Sequence, residues 1–257
     1  MSESLHQPSI SKEFESTSAR VSLARTGSRI STRDSLDFAL AHAQARDAVH
    51  LTLSLPSLLE GLRKRNLEVV ILKSAAADRA TYLRRPDLGR TLSPESVSQL
   101  GSCGSKLESD SLPTLAIIFA DGLSALAIDR HAMPLLDALL PLIQPHFHLA
   151  PVAVVQQARV AIGDPIGHTL QADLTLILIG ERPGLSSPDS LGAYLTWAPA
   201  PGRTDAERNC VSNIRTEGLN YLTAAQRIAA IAREAHRRQL TGTLLKDLNA
   251  SLPDEIP

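Results

Sequence analysis

Aromatic side chains make up only 3% of the 257 residues, and cysteine occurs just twice, at Cys103 and Cys210. The core must therefore be built from Leu, Ile, Val and Ala. Two cysteines are too few for a disulfide framework and suit a reducing compartment, although the sequence leaves one bridge between them open. Neither sign of charge is in excess: 26 Lys plus Arg stand against 27 Asp plus Glu. That balance removes the usual electrostatic motive for binding nucleic acid. Long apolar runs are missing as well. Residues 174–179 form one of the longest, far short of the roughly 20 needed to cross a bilayer, so no membrane span is expected. The opening Met1-Ser2-Glu3-Ser4 lacks the apolar stretch of a secretory signal, and a cytoplasmic location is the default. There is no Walker A sequence, no strand-bound Gly-x-Gly-x-x-Gly and no Gly-x-Ser-x-Gly elbow, which removes the easiest enzyme classes.

What is present is an ordinary globular composition, 43% hydrophobic and 21% charged. The length suits one sizeable domain with an appendage, or two small ones. Residues 1–18 are rich in Ser, Glu and Gln with no apolar period and read as a disordered tail. From an N-cap at Ser31 or Thr32 a helix is expected to run to near His50, with a weak stripe of Leu36, Ala39, Leu40, Ala43 and Ala48. Such a stripe suits an arm packed on something else. A short helical pattern at Leu58, Leu59 and Leu62 leads into a strand-like run at 67–72.

Further buried-type strands recur at 115–119, 152–155 and 174–179, with helical patterns near 123–144 and 163–171 between them. Continuous apolar strands alternating with helices predict an α/β fold with a parallel sheet covered on both faces. Residues 101–113 read as a polar linker. Thr223 and Gln226 have capping-box spacing ahead of a face made by Ala225, Ile228, Ala229, Ala232 and Ala235, with Gly242 as a stop. The expected organisation is a tail at 1–18, a helical arm at 19–65, a main domain at 66–245 and a loose end at 246–257.

Several residues invite a chemical reading. His146 and His148 flank Phe147 at a spacing that puts both rings on one side of a strand. They lack acidic or cysteine partners, and no metal is assigned. Cys210 follows Arg208, a positive neighbour for a thiol, but also fits a packed small hydrophobe. Glu181 and Arg182 close a strand before Pro183, as a turn ion pair or as a carboxylate presented to a polar ligand. Asp121, Gly122 and Ser124 suggest helix-start capping. Asp129-Arg130-His131-Ala132-Met133-Pro134 approaches the Asp-x-His-x-x-Gly pattern of proteins whose histidine becomes a lower cobalt ligand, but Pro134 stands where glycine is required. The polar and glycine residues after 115–119 and 174–179 lie where open α/β sheets bind ligands, at the carboxyl ends of strands.

Four separated segments, residues 78–90, Ala120-Asp121-Gly122-Leu123-Ser124, Gly180-Glu181-Arg182-Pro183-Gly184-Leu185 and residues 208–215, occur in the order found in one family. Together they resemble the ethanolamine ammonia-lyase small subunit, over about Ala19 to Gly242. The resemblance implies a Rossmann-like parallel sheet flanked by helices and preceded by a helical N-terminal arm. It implies an adenosylcobalamin enzyme that converts ethanolamine to acetaldehyde and ammonia. A large subunit would hold the ethanolamine in a hetero-oligomer, in the cytoplasm or inside a bacterial microcompartment. By motif it places Val160, Glu181 and Cys210 on cobalamin, and none of them as acid, base or nucleophile. The alternative from another class is a stand-alone α/β binding or scaffold protein. A nicotinamide-dependent oxidoreductase follows only from fold analogy and lacks the glycine fingerprint.

Overall fold

The computed structural model describes residues 25–26, 29–103 and 112–246. The expected tail at 1–18, nearly all of the loose end at 246–257 and most of the 101–113 linker lie outside them. A two-strand ribbon, β1 (Arg25–Thr26) and β2 (Arg29–Ile30), precedes helices α1 (Thr32–His50) and α2 (Leu55–Arg63). Then follow β3 (Val69–Lys73), α3 (Arg79–Arg84), α4 (Pro94–Ser102), β4 (Thr114–Ala120) and α5 (Ala125–Ile143). The remainder is β5 (His148–Leu149), β6 (Val152–Gln156), α6 (Gly163–Thr169), β7 (Leu174–Gly180), β8 (Leu191–Trp197), β9 (Asn209–Ile214), α7 (Tyr221–Arg238) and α8 (Thr243–Lys246).

One seven-stranded sheet runs in the order β3-β6-β4-β7-β8-β9, with the short β5 beside β4. The first four are parallel, while β8 and β9 are each antiparallel to their predecessor. The expected mixed α/β architecture is therefore present, but with two antiparallel strands that apolar runs alone did not announce. Every residue of β4 and of β7 is buried, as strands covered on both faces must be. Leu115, Ile117 and Phe119 join Leu135, Leu139, Ile228 and Ala232 of α5 and α7 on one face. Ala116, Ile118 and Ala120 join Leu100, Ile162 and Ile166 on the other. This odd-even division is the two-residue period of an extended strand.

Two expected helix boundaries move. Asn220, not Thr223, caps α7: its Oδ1 accepts the Thr223 amide at 2.9 Å. The helix stops at Gln239, which takes left-handed backbone at φ 55°, ahead of Gly242. Helix α1 starts at Ser31 as expected, but it buries only Ala41 and Ala48 and leaves Leu36 65% and Leu40 60% exposed.

The exits of β4 and β7 meet backbone to backbone. Leu123 donates its amide to Gly180 O at 3.0 Å. A Cβ on Gly180 would lie 2.0 Å from Ser124 O and 2.7 Å from Asp121 O, and one on Gly122, at φ +56°, 2.2 Å from Gly180 O. No side chain fits there: at Gly180 the atoms in the way are all main chain, and at Gly122 the nearest is main chain, with Ile179 Cγ1 next. Gly180→Ala is expected to cost about 3 kcal/mol or more, read as the shift in urea-denaturation free energy. A cost under about 1 kcal/mol would show that the contact is loose.

Candidate functional site

An open cavity of about 410 Å³ lies at the carboxyl ends of the parallel strands. Gly122 and Leu123 line it after β4, Arg159 and Val160 after β6, and residues 179–182 at the end of β7. Tyr82 from α3 and Tyr194 from β8 add walls. Helix α5, which leaves β4, and α6, which leaves the neighbouring β6, pack against opposite faces of the sheet. The cavity thus occupies the topological switch point, where open α/β sheets bind their ligands.

Its floor is tied down by Asp121, which is buried and accepts the amides of Gln157 at 2.9 Å and Ala158 at 3.1 Å. These bonds join the β4 exit to the β6 exit. Burial pushes the Asp121 carboxyl up, opposed by the two amides and by Arg79 at 3.6 Å. Arg79 also donates to Val49 O at 2.7 Å and Gly122 O at 2.8 Å. The capping reading of this segment is corrected: Ser124 makes no side-chain cap to α5, and its Oγ donates to Pro188 O at 2.8 Å.

Glu181 makes no ion pair with Arg182 among the described residues. Its Oε2 accepts Ser190 Oγ at 2.5 Å and the Asn213 amide at 3.2 Å. To reach Asn213 the side chain crosses β8 above Gly192, where a Cβ would sit 3.0 Å from Oε1. The register of β8 on β9 slips at this point, between Leu191 and Ala193, and Asn213 takes φ 58°. A bulge of this kind frees an amide from the ladder and re-aims it. Beside Glu181, burial holds the Tyr194 phenol above its usual range, with Cys210 adding to the shift, so the ring stays protonated.

Cys210 lies opposite Tyr194 in the β8–β9 register and is exposed rather than packed. Neither it nor Cys103 is disulfide-bonded, which closes the question the sequence left open. The Arg208 guanidinium is committed to other partners. It grips Asp164 through two 2.7 Å bonds in a buried pair that clamps the start of β9 to α6. The two histidines do not share a strand face, because β5 begins only at His148. Among the described residues no group of three or more metal-ligating side chains occurs, and no helix is long and apolar enough to cross a membrane.

The loop that carries Glu181 back to β8 is pinned by a second buried group. Asp189 lies 2.7 Å from Arg130 and 3.2 Å from His131 Nε2, while His131 Nδ1 is 2.9 Å from the Tyr221 hydroxyl. Asp189 immediately precedes Ser190, which holds Glu181, so this cluster positions the carboxylate at one remove. Burial lowers the His131 imidazole below its ordinary value against the pull of Asp189.

The family model for the ethanolamine ammonia-lyase light chain matches residues 9–246. The small subunit of Azotobacter vinelandii is 54% identical over 232 residues, 90% of this chain and 85% of that protein. That of Pseudomonas aeruginosa is 54% identical over 90% of this chain and 84% of its own length. That of Xanthomonas campestris is 52% identical, with 90% and 85% covered. The chain belongs to the ethanolamine ammonia-lyase light-chain family.

Of the positions that the light-chain resemblance assigned, Val160 and Glu181 line one cavity, and Cys210 stands beside its Tyr194 wall without lining it. The residue-by-residue reading missed Tyr82, Arg159 and Tyr194. Tyr82 lies in the short helix α3, Arg159 after a strand and Tyr194 in an antiparallel strand, none of which carries a periodic signal; only the family motifs at 78–90 and 159–164 pointed toward Tyr82 and Arg159.

The His131 cluster makes a pH prediction. Unfolded, His131 takes a proton near 6.5, and in the fold only below that value. The unfolded state therefore binds more protons as pH falls, and stability drops from about pH 6.5 downward by up to about 1.4 kcal/mol per unit. His131→Gln removes this slope. Urea midpoints across that range decide, and a slope unchanged in the variant would assign it to another group.

Proposed function

We propose that this chain is the cobalamin-facing small subunit of an adenosylcobalamin-dependent ethanolamine ammonia-lyase, non-autonomous and completed by a large subunit that holds the ethanolamine. The observation that carries the reading is the switch-point cavity, which gathers Val160 and Glu181 and has Cys210 at its side. The described residues fit a corrinoid edge. They offer an apolar wall, a fixed carboxylate, and guanidinium donors without protein partners, Arg159 Nε among them. Ligand pockets of this size typically mix apolar lining with a few polar anchors.

With Oε2 held by Ser190 and Asn213, Glu181 has Oε1 left to accept from a corrin-rim amide. Val160 supplies apolar contact, and Cys210 extends the same wall along β9. When bound, adenosylcobalamin supplies radical chemistry through homolysis of its cobalt–carbon bond. This chain's residues bind, orient and shield. The cavity is open and far smaller than a whole corrinoid, which supports a second polypeptide covering the rest. The exposed Leu36 and Leu40 of α1 support an arm that packs on a partner. A cytoplasmic setting, free or inside a microcompartment, accords with this reading.

Ammonia release from ethanolamine and adenosylcobalamin is expected only when the chain is mixed with its large subunit. In that complex Glu181→Ala should weaken cobalamin binding about tenfold to a hundredfold, the scale of a lost hydrogen bond to a charged group. A verified complex without activity sinks the lyase reading. Unchanged affinity in the variant removes Glu181 from the site.

A further inference from the structure

Segment 78–90 shares the family motif, yet the cofactor reading gives none of its residues a task. Its packing gives it one. Asp78 caps α3 by accepting the Thr81 amide at 2.7 Å. This sets Tyr82, fully buried, so that its hydroxyl donates to Ala158 O at 2.9 Å. Gly89 O accepts the Arg159 amide at 2.7 Å. A Cβ at Gly89 would lie 2.9 Å from both Arg159 Cγ and the Tyr82 ring. The Arg159 guanidinium is consequently laid over that ring, 4.4 Å from its centroid, on the cavity lining.

Arg79 stacks near the same ring at 4.9 Å but is committed to Val49 O, Gly122 O and Asp121. Arg159 has no hydrogen bond or ion pair from its side chain among the described residues, and its Nε is buried without a partner. Buried donors in native proteins are nearly always paired, and a planar guanidinium held on a ring is pre-organised for a bidentate anion. Arg182 also lines the cavity but is exposed, where water and salt screen it.

The geometry separates the charges. Arg159 follows β6 and Glu181 follows β7, with β4 between them. Two strand spacings put their backbones about 10 Å apart. A corrinoid with a nucleotide tail carries neutral amides on its rim and a single anionic phosphodiester, which the Glu181 carboxylate repels. We infer that Arg159, fixed by the shelf of Tyr82 and Gly89, receives that phosphodiester. This rests on the cofactor reading above.

The test compares two corrinoids on the complex with the large subunit, by equilibrium dialysis: cyanocobalamin, and dicyanocobinamide, which lacks the nucleotide and its phosphodiester. Arg159→Gln should raise the Kd for cyanocobalamin about tenfold to a hundredfold and leave that for dicyanocobinamide within about threefold. Arg159→Lys keeps the charge but loses the fork. It should show the same discrimination at a smaller loss, and it serves if the Gln variant does not assemble. Equal losses for both ligands, no loss for either, or a larger cyanocobalamin loss from Arg182→Gln overturns the inference and leaves the cofactor site standing. A wild-type complex that binds neither corrinoid overturns both.

Discussion

The contact between the exits of β4 and β7 is the constraint on which the site depends. Neighbouring parallel strands must each turn away from the sheet, and their turns ordinarily keep a side chain's width between them. Here Gly122 and Gly180 let the two main chains touch, and the Leu123 amide closes on Gly180 O. That contact sets where α5 begins and where loop 181–190 departs. Ser124, freed from capping, then holds the loop at Pro188. The cavity is the space left between this pair of exits and the third exit, from β6, which Asp121 ties in place.

Charged groups around the site divide into those already satisfied and those still facing outward. Asp121, Arg79, the Asp164–Arg208 pair and the Asp189–His131 contact are buried or nearly so, and each joins two chain segments far apart in sequence. Breaking such a pair leaves an uncompensated buried charge, so these groups act as fixed struts. Glu181 is half spent, with one oxygen anchored and one available. Arg159 is positioned by ring stacking, which orients a guanidinium without consuming its donors. A site that must orient a large ligand needs this combination, because an anchor that moves on binding loses part of its contribution to ordering.

The parts legible in the sequence follow from burial. Strands β4, β6 and β7 are apolar on both faces, so they stood out as runs, and the helices beside them carried an apolar face of period 3.6. Strands β8 and β9 escaped because each mixes polar with apolar residues: Thr196, Asn209, Ser212 and Asn213 interrupt them. The place of the proposed site followed from the strand-end rule, which pointed to the residues after 115–119 and 174–179, and its individual residues only from motif resemblance. The position of the Glu181 side chain depends on Ser190, Gly192 and Asn213, brought together by a hairpin and a bulge. Arg159 depends on Tyr82, 77 positions earlier. Neither arrangement leaves a local spacing to read. Asp121 shows the same limit from the other side, since a short acid ahead of a helix resembles a cap, yet its partners are amides on another strand's exit.

On the proposed cofactor reading, a pocket with fixed anchors but no enclosing roof serves as half of a site. An enclosed cavity would have to open for a ligand as large as a corrinoid, and opening would disturb the glycine contact and the struts. Leaving one side bare avoids that conflict, because the rigid half orients the ligand while a second surface supplies closure. The N-terminal arm fits the same division. Helix α1 spends Ala41 and Ala48 on its own domain and keeps Leu36 and Leu40 exposed. Small residues permit close approach on the inner face, and large ones carry most of the apolar area on the outer face, where burial at about 25 cal/mol per Å² would reward a partner.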